Sequence, residues 1–384
     1  MLETNVFEDR FARDFTSMAD FMQFLSERRA NSRWMTAPSR ELTFQPVEQG
    51  TPMGDLLYQL YDARGEGALM MDTMQNTSLL MKVNGEDYPV RACALKTILE
   101  RARISGHALS KVRTEVLSQI LNYCMNVASG QSLVRIADEK ISAVHGGDAS
   151  DYAVLEMLPL FQEVTDFLNR EFPGNHFLTA HYDHTMAMAI WSLDGQGRDL
   201  LRTYRQELAA RNLSGTAMVP ALRFQTSDVG MSGANLYPVL LMGGAQRIVP
   251  LGNAIKTEHK HGADLDYFHE QLGLLYSRFR EALDKQTRLM DVEIRYPANA
   301  LLGVLKRIGA PKKISFEVQD EFLAAHGDQP CTAYELFLYV SEVIFYAQCS
   351  GANAARIAQL EEITARALNL RWEDYDRPGL VQWS

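Results

Sequence analysis

The chain has few cysteines, no long apolar run and no excess of basic charge, and each absence removes a class of protein. Only four of its 384 residues are cysteine, and no two form a C-x-x-C pair, so neither a zinc knuckle nor a thioredoxin-like site is expected. No segment approaches the roughly 20 apolar residues of a membrane span, and the first residues lack the apolar region of a signal peptide. We therefore expect a cytoplasmic protein without membrane contact.

The charge balance gives the chain no general attraction for nucleic acid. The formal net charge is −10, from 38 basic and 48 acidic residues. Hydrophobic residues make up 46% of the chain, which is typical of a globular protein with a substantial core. Any contact with nucleic acid must therefore use a local basic surface.

Sequence motifs of familiar catalytic mechanisms are missing as well. The phosphate loops G-x-x-x-x-G-K-[ST] and G-x-G-x-x-G do not occur, and the S-D-V-G-M-S-G stretch beginning at Ser227 is not a G-x-S-x-G nucleophile elbow. We therefore predict no catalytic residue and no cofactor. One alternative stays open, because His181, Asp183 and His184 form the cluster most similar to a metal site. On a regular strand His184 would point away from the other two, and a polar turn explains the cluster equally well.

The hydrophobic pattern predicts an α+β protein. β-Hairpins packed with helices form a body over about residues 1–262, and an all-helical part follows over about residues 263–384. The turn signal Asn84-Gly85 between two apolar runs is the strongest hairpin signature. Predicted hairpins cover residues 77–91, 132–146 and 175–195. Predicted helices include residues 108–127, 152–172, 265–289, 298–308, 315–325, 333–347 and 353–368.

Three segments occur in an order and spacing that resemble a known family. They are residues 100–109 (E-R-A-R-I-S-G-H-A-L), residues 133–161, and residues 227–244, which are followed by I-K-T-E-H-K-H-G at 255–262. Together they resemble the phage/plasmid-like domain-of-unknown-function family 932 over roughly residues 75–290. After Pro238 this chain has Met-Gly-Gly where the family has a Cys-Asn-Gly-like step. The resemblance implies no chemistry, but it implies a mobile-element setting in which nucleic-acid handling and anti-defence roles are common.

Two groups of basic residues are candidates for contact with nucleic acid. Residues 221–262 contain four basic and two acidic residues, which gives a local charge of +2. The stretch is also rich in glycine, which lets phosphates approach the backbone closely. A second group brackets a Gly-Ala-Pro turn, where it can contact a phosphate backbone or complement a helix dipole. The predicted nucleic-acid-binding residues are Arg223, Arg247, Lys256, His259, Lys260, His261, Lys306, Arg307, Lys312 and Lys313.

These patterns favour a phage- or plasmid-encoded, non-enzymatic protein that binds single-stranded DNA. Its role would be strand annealing or strand protection, possibly as a homo-oligomer. An alternative is an acidic inhibitor of a host defence protein, because an acidic surface can occupy the basic groove of its target. The remaining alternative is a metal-dependent enzyme built on the cluster from His181 to His184.

Overall fold

The computed structural model describes residues 5–147, 152–194, 200–213, 217–243, 247–260, 263–379, 381 and 383. Sheets occupy the N-terminal region and helices dominate the C-terminal part, so the predicted α+β class is confirmed. The strands are β1 (Ala12–Phe15), β2 (Ser32–Pro38), β3 (Thr43–Pro46), β4 (Leu79–Val83), β5 (Glu86–Pro89), β6 (Gln131–Ala137), β7 (Lys140–Gly146), β8 (His176–Asp183), β9 (Ala187–Ser192), β10 (Met218–Thr226), β11 (Ala234–Met242), β12 (Arg247–Pro250), β13 (Ile255–Thr257), β14 (Glu293–Ile294) and β15 (Cys331–Thr332).

The helices pack around these strands. They are α1 (Met18–Ala30), α2 (Pro52–Asp62), α3 (Gly67–Asn76), α4 (Ala94–Arg101), α5 (Thr114–Asn126), α6 (Met157–Glu171), α7 (Arg202–Ala210), α8 (Leu265–Leu272), α9 (Leu275–Leu289), α10 (Pro297–Ile308), α11 (Lys312–His326), α12 (Ala333–Cys349) and α13 (Ala354–Ala365). Short 3-10 helices cover Ser39–Glu41, His107–Lys111, Arg366–Asn369 and Trp372–Tyr375. Among the residues described, no helix combines the length and the apolar character needed to cross a bilayer.

An antiparallel sheet with the order β1-β8-β9-β10-β11-β12 forms the centre of the molecule, and β13 also pairs with β11. Every residue of β11 is buried, because apolar side chains cover both faces of the sheet. Leu236 and Leu240 face the main core, while Tyr237, Val239 and Leu241 belong to a smaller cluster on the opposite face. This alternation follows from the two-residue period of a strand.

Two smaller antiparallel sheets contain two of the three predicted hairpins. β2 pairs with β6 and β6 with β7, while β3 pairs with β4 and β4 with β5. Asn84 (φ 51°) and Gly85 (φ 90°) form the turn between β4 and β5, and Asp138 (φ 50°) and Glu139 (φ 56°) form the turn between β6 and β7. Positive φ at both central residues is the signature of the tight hairpin turns that match strand twist.

Buried ion pairs join the first described residues to these sheets. The Lys140 side chain is fully buried, with Nζ 3.1 Å from Oδ1 of Asp9 and in contact with the Asp72 carboxylate. The buried Arg91 lies 3.8 Å from Asp9 and 3.6 Å from Asp138. Because buried charges are tolerated only when they are paired, this network fixes the N-terminal segment against α3 and β7.

The helices after residue 263 pack directly on the central sheet. α9 contacts β11, and both α12 and α13 contact β12. The main core contains side chains from both sides of the predicted boundary at residue 262. The helix predicted over residues 265–289 is divided at Gly273 into α8 and α9.

Candidate nucleic-acid interface

Arg223 occupies the interior between β10 and α13. Its side chain is 1% exposed, and its Nη2 lies 2.5 Å from Oε2 of Glu361, which is itself fully buried. The guanidinium also lies over the ring of Tyr237, 4.4 Å from the ring centre. The predicted contact of Arg223 with phosphate does not fit this position, because the side chain has no surface from which to reach a ligand.

The other cations of residues 221–260 lie nearer the surface, but each is paired with a carboxylate. Nη1 of Arg247 lies 2.9 Å from Oε1 of Glu342, and Nζ of Lys256 lies 2.7 Å from Oε2 of Glu362. Lys260 contacts the glutamate two residues before it. Glutamates of α12 and α13 therefore offset the positive charge counted along this stretch of the sequence.

His259 is buried, and its two ring nitrogens link two loops. Its Nδ1 lies 3.0 Å from the carbonyl oxygen of Ala153, and its Nε2 lies 3.1 Å from that of Ser232. Burial lowers the pKa of His259. Its ring stacks on Tyr152, with centroids 5.0 Å apart. His261, predicted beside it, lies outside the described residues.

The second predicted basic group remains at the surface where α10 joins α11. Lys306, Arg307 and Lys312 are exposed, and Lys313 lies 3.8 Å from Glu317 on the next helical turn. This group keeps a position from which it can contact a ligand, and its role in binding stays a prediction.

The cluster from His181 to His184 forms a polar turn. His181 Nδ1 lies 2.7 Å from Asp14, and Oδ1 of Asp183 accepts hydrogen bonds from the two backbone amides at residues 185 and 186. His184 points the other way, with Nε2 2.9 Å from the carbonyl oxygen of Glu8. In the described part of the chain, no three His, Cys, Asp or Glu side chains are grouped to hold a metal ion.

Two of the segments on which the predicted family resemblance rests, residues 133–161 and 255–262, meet at a stack of rings. His145 of β7 lies 3.9 Å from Tyr152, which in turn stacks on His259, so one tyrosine ring lies between two imidazoles. Burial lowers the pKa of His145 to about 4. A Cβ added at Gly230 (φ 73°) would lie 2.7 Å from Cε1 of His145, which explains the glycine at this position. These rings are packed against one another and are not a platform for bases.

A basic surface that the sequence analysis missed lies between α4 and α5. Residues 94–113 contain five basic residues and one acidic residue, a local charge of +4 in a chain of net charge −10. Four of the five side chains are exposed. We refer to these four as the α4–α5 surface: Lys96, Arg103, Lys111 and Arg113.

The fifth basic residue, Arg101, fixes the end of α4. Its Nη2 donates to the carbonyl oxygens of Ser129, at 2.6 Å, and Gln131, at 3.2 Å. Beyond it, Arg103 (φ 55°) and Gly106 (φ 137°) adopt positive φ, which turns the chain outward before α5 begins. The anchored helix end therefore positions the exposed loop.

Three cations of the α4–α5 surface have no carboxylate partner among the residues that the structure describes. Lys96 lies 3.9 Å from Glu100, and both side chains are more than half exposed, so this pair is weak. Within the described ranges, Arg103, Lys111 and Arg113 make no ion pair. These three cations therefore differ from those of residues 221–260, each of which is paired with a carboxylate.

α5 adds two further features to this surface. The helix begins directly after Arg113, whose side chain makes no capping hydrogen bond, so the first amides of the helix can bind an anion. Tyr123 of α5 is 75% exposed, and about ten residues of helix, or about 15 Å, separate it from Arg113. Glu115 lies in the first helical turn and opposes an anion there.

Comparison with models of known protein families, with curated proteins and with solved structures found no match. The resemblance to family 932 therefore stays a prediction. Residues 100–109, one of its three segments, form part of the α4–α5 surface. A count of charge over a sliding window would have found this surface, because it needs no knowledge of the fold.

Proposed function

We propose that the chain is a non-enzymatic nucleic-acid-binding protein that holds single-stranded DNA on the α4–α5 surface. The observation that supports this most strongly is the presence of three exposed, unpaired cations, Arg103, Lys111 and Arg113, within eleven residues of sequence. The phage or plasmid origin and the cytoplasmic setting predicted from the sequence are part of the same proposal.

Unpaired cations are the ones that can strengthen binding to DNA. A cation that approaches a phosphate gains affinity largely through the release of counterions from the nucleic acid. Lys256 must give up its contact with Glu362 to do the same, and Arg247 must give up Glu342. The cost of breaking these pairs offsets the gain, so the α4–α5 surface should dominate the interaction.

The exposed aromatic residue favours a single strand over a duplex. The ring of Tyr123 can stack on a base, and base–aromatic stacking contributes about 1–3 kcal/mol per base. Only an unpaired strand offers the face of its bases in this way. The distance of about 15 Å along α5 between Arg113 and Tyr123 suits a strand that crosses the helix N-terminus and continues along its exposed side.

Fluorescence anisotropy of a labelled oligothymidine, titrated over a salt series, tests the proposal. Three to four phosphate contacts on a single strand predict a slope of log K against log salt of about −2 to −3. An unlabelled duplex of equal length should compete less well than the same unlabelled single strand. Failure to bind the oligothymidine at low salt, or affinity that does not change with salt, would overturn the proposal.

A further inference from the structure

A cavity of about 490 Å³ lies between β12 and α12, away from the elements that form the α4–α5 surface. Its volume is within the range of pockets that hold small molecules. Side chains from the end of α7, the end of β11 and α11 complete its wall. Most of the lining is apolar or aromatic and includes Leu213, Met242, Ile248, Leu338, Tyr339 and Phe345.

One buried carboxylate in the wall has an incomplete set of hydrogen bonds. Glu342 is 5% exposed, and its Oε1 pairs with Nη1 of Arg247 at 2.9 Å. Its Oε2 has no hydrogen-bond partner among the described residues. Leaving a buried carboxylate oxygen unpaired is unfavourable, so a ligand that supplies a donor gains by satisfying it.

The charge around this carboxylate favours a cation. Among the lining residues, Arg247 is the one arginine or lysine and His326 is the one histidine, while Glu335 and Glu342 supply two carboxylates. A third carboxylate, Glu321 of α11, lies 3.5 Å from Nη2 of Arg247. Three carboxylates against one guanidinium repel an anionic ligand, and aromatic rings such as those of Tyr339 and Phe345 in the lining can attract a cation.

We propose that this cavity binds a small organic cation, an amine whose ammonium group bonds to Glu342 and whose apolar body fills the space lined by Leu338 and Phe345. The ammonium group then supplies a charge-assisted hydrogen bond, which is about twice as strong as a neutral one. The site uses different elements from those proposed to bind DNA, so either proposal can fail alone.

Three probes that share one apolar body test the proposal: 4-phenylbutylamine, 4-phenylbutanol and 4-phenylbutyrate. Calorimetric titration at about pH 8 keeps the amine charged and Glu342 ionised. We expect the amine to bind at least ~10-fold more tightly than the alcohol, and the carboxylate to bind most weakly. Equal affinity for the amine and the carboxylate, or no binding of any probe, would overturn the proposal.

Variants locate the binding in the cavity. Glu342→Gln keeps the shape of the side chain and should reduce the affinity for the amine to that for the alcohol. Leu338→Trp should fill the cavity and abolish binding of both, with far-ultraviolet circular dichroism as the check that it folds. The matched control is Glu362→Gln, which removes another ion-paired glutamate outside the lining and should leave binding unchanged. Amine binding that survives Leu338→Trp in the folded protein would contradict the assignment.

Discussion

Removal of the three unpaired cations of the α4–α5 surface should weaken binding to single-stranded DNA by about a hundredfold. The change is the triple substitution Arg103→Ala, Lys111→Ala and Arg113→Ala. Each phosphate contact to a single strand contributes about 0.7 to the slope of log K against log salt, so loss of three contacts lowers the slope by about 2. At ~0.1 M salt this corresponds to about two decades of affinity, or about 3 kcal/mol.

The assay is the anisotropy titration over a salt series, with a matched triple variant as the control. Lys256→Ala, Lys260→Ala and Lys285→Ala also remove three positive charges, but each of these lysines is paired with a glutamate. This control should lose much less affinity and keep most of the slope. Because the substituted side chains lie at the surface, neither triple variant should change the free energy of unfolding much. If the control loses as much affinity as the first variant, the distinction between paired and unpaired cations is wrong.

Further predictions concern the buried pair, the cavity and the start of α5. Glu361→Gln leaves Arg223 buried without a counterion and should lower the free energy of unfolding by about 3–5 kcal/mol in urea titrations; a loss below about 1 kcal/mol would contradict this. Burial raises the pKa of Glu342 to about 7, so between about pH 6 and pH 8 its ionised fraction rises from about 0.1 to 0.9. Amine affinity, measured by calorimetry, should therefore rise about five- to ninefold over that interval in the wild type and change much less in Glu342→Gln. Glu115→Gln removes a carboxylate from the helix N-terminus and should strengthen DNA binding about two- to fivefold by anisotropy, whereas weaker binding would place the strand elsewhere.

The pH prediction depends on the charged groups that face Glu342. Arg247 approaches it from β12, while Glu321 and His326 belong to α11, which packs on α12. These neighbours are present in both proteins, so the difference in pH dependence between the wild type and Glu342→Gln reports the contribution of Glu342 itself.

Local signals predicted the hairpins well because their cause is local. Asn84-Gly85 adopts positive φ at both positions, as that dipeptide requires in a tight turn. The start of α6 was predicted five residues too early, at residue 152. The amide of Ala153 bonds to the carbonyl oxygen of His259, and this contact across 106 residues holds the chain out of the helix. A pattern read along one segment contains no information about such a partner.

The lack of information about distant partners also explains why several of the predicted basic residues are already ion-paired in the fold. Residues 221–262 carry a local charge of +2, but glutamates of α12 and α13, more than 90 residues further along, pair with Arg223, Arg247 and Lys256. Arg223 and Glu361 are separated by 138 positions and form one buried pair. Only the fold shows which cations are neutralised. The α4–α5 surface can be found from the sequence without the fold, since its charges lie within twenty consecutive residues and have few local partners.

Ultraviolet crosslinking of the protein to oligothymidine, followed by mass spectrometry of the peptides, tests the central proposal most directly. Thymine crosslinks to side chains that it touches, so the site is located without any substitution. We expect crosslinked peptides from residues 96–127, with Tyr123 among the modified side chains. Crosslinks confined to residues 247–260 or 306–313 would contradict it.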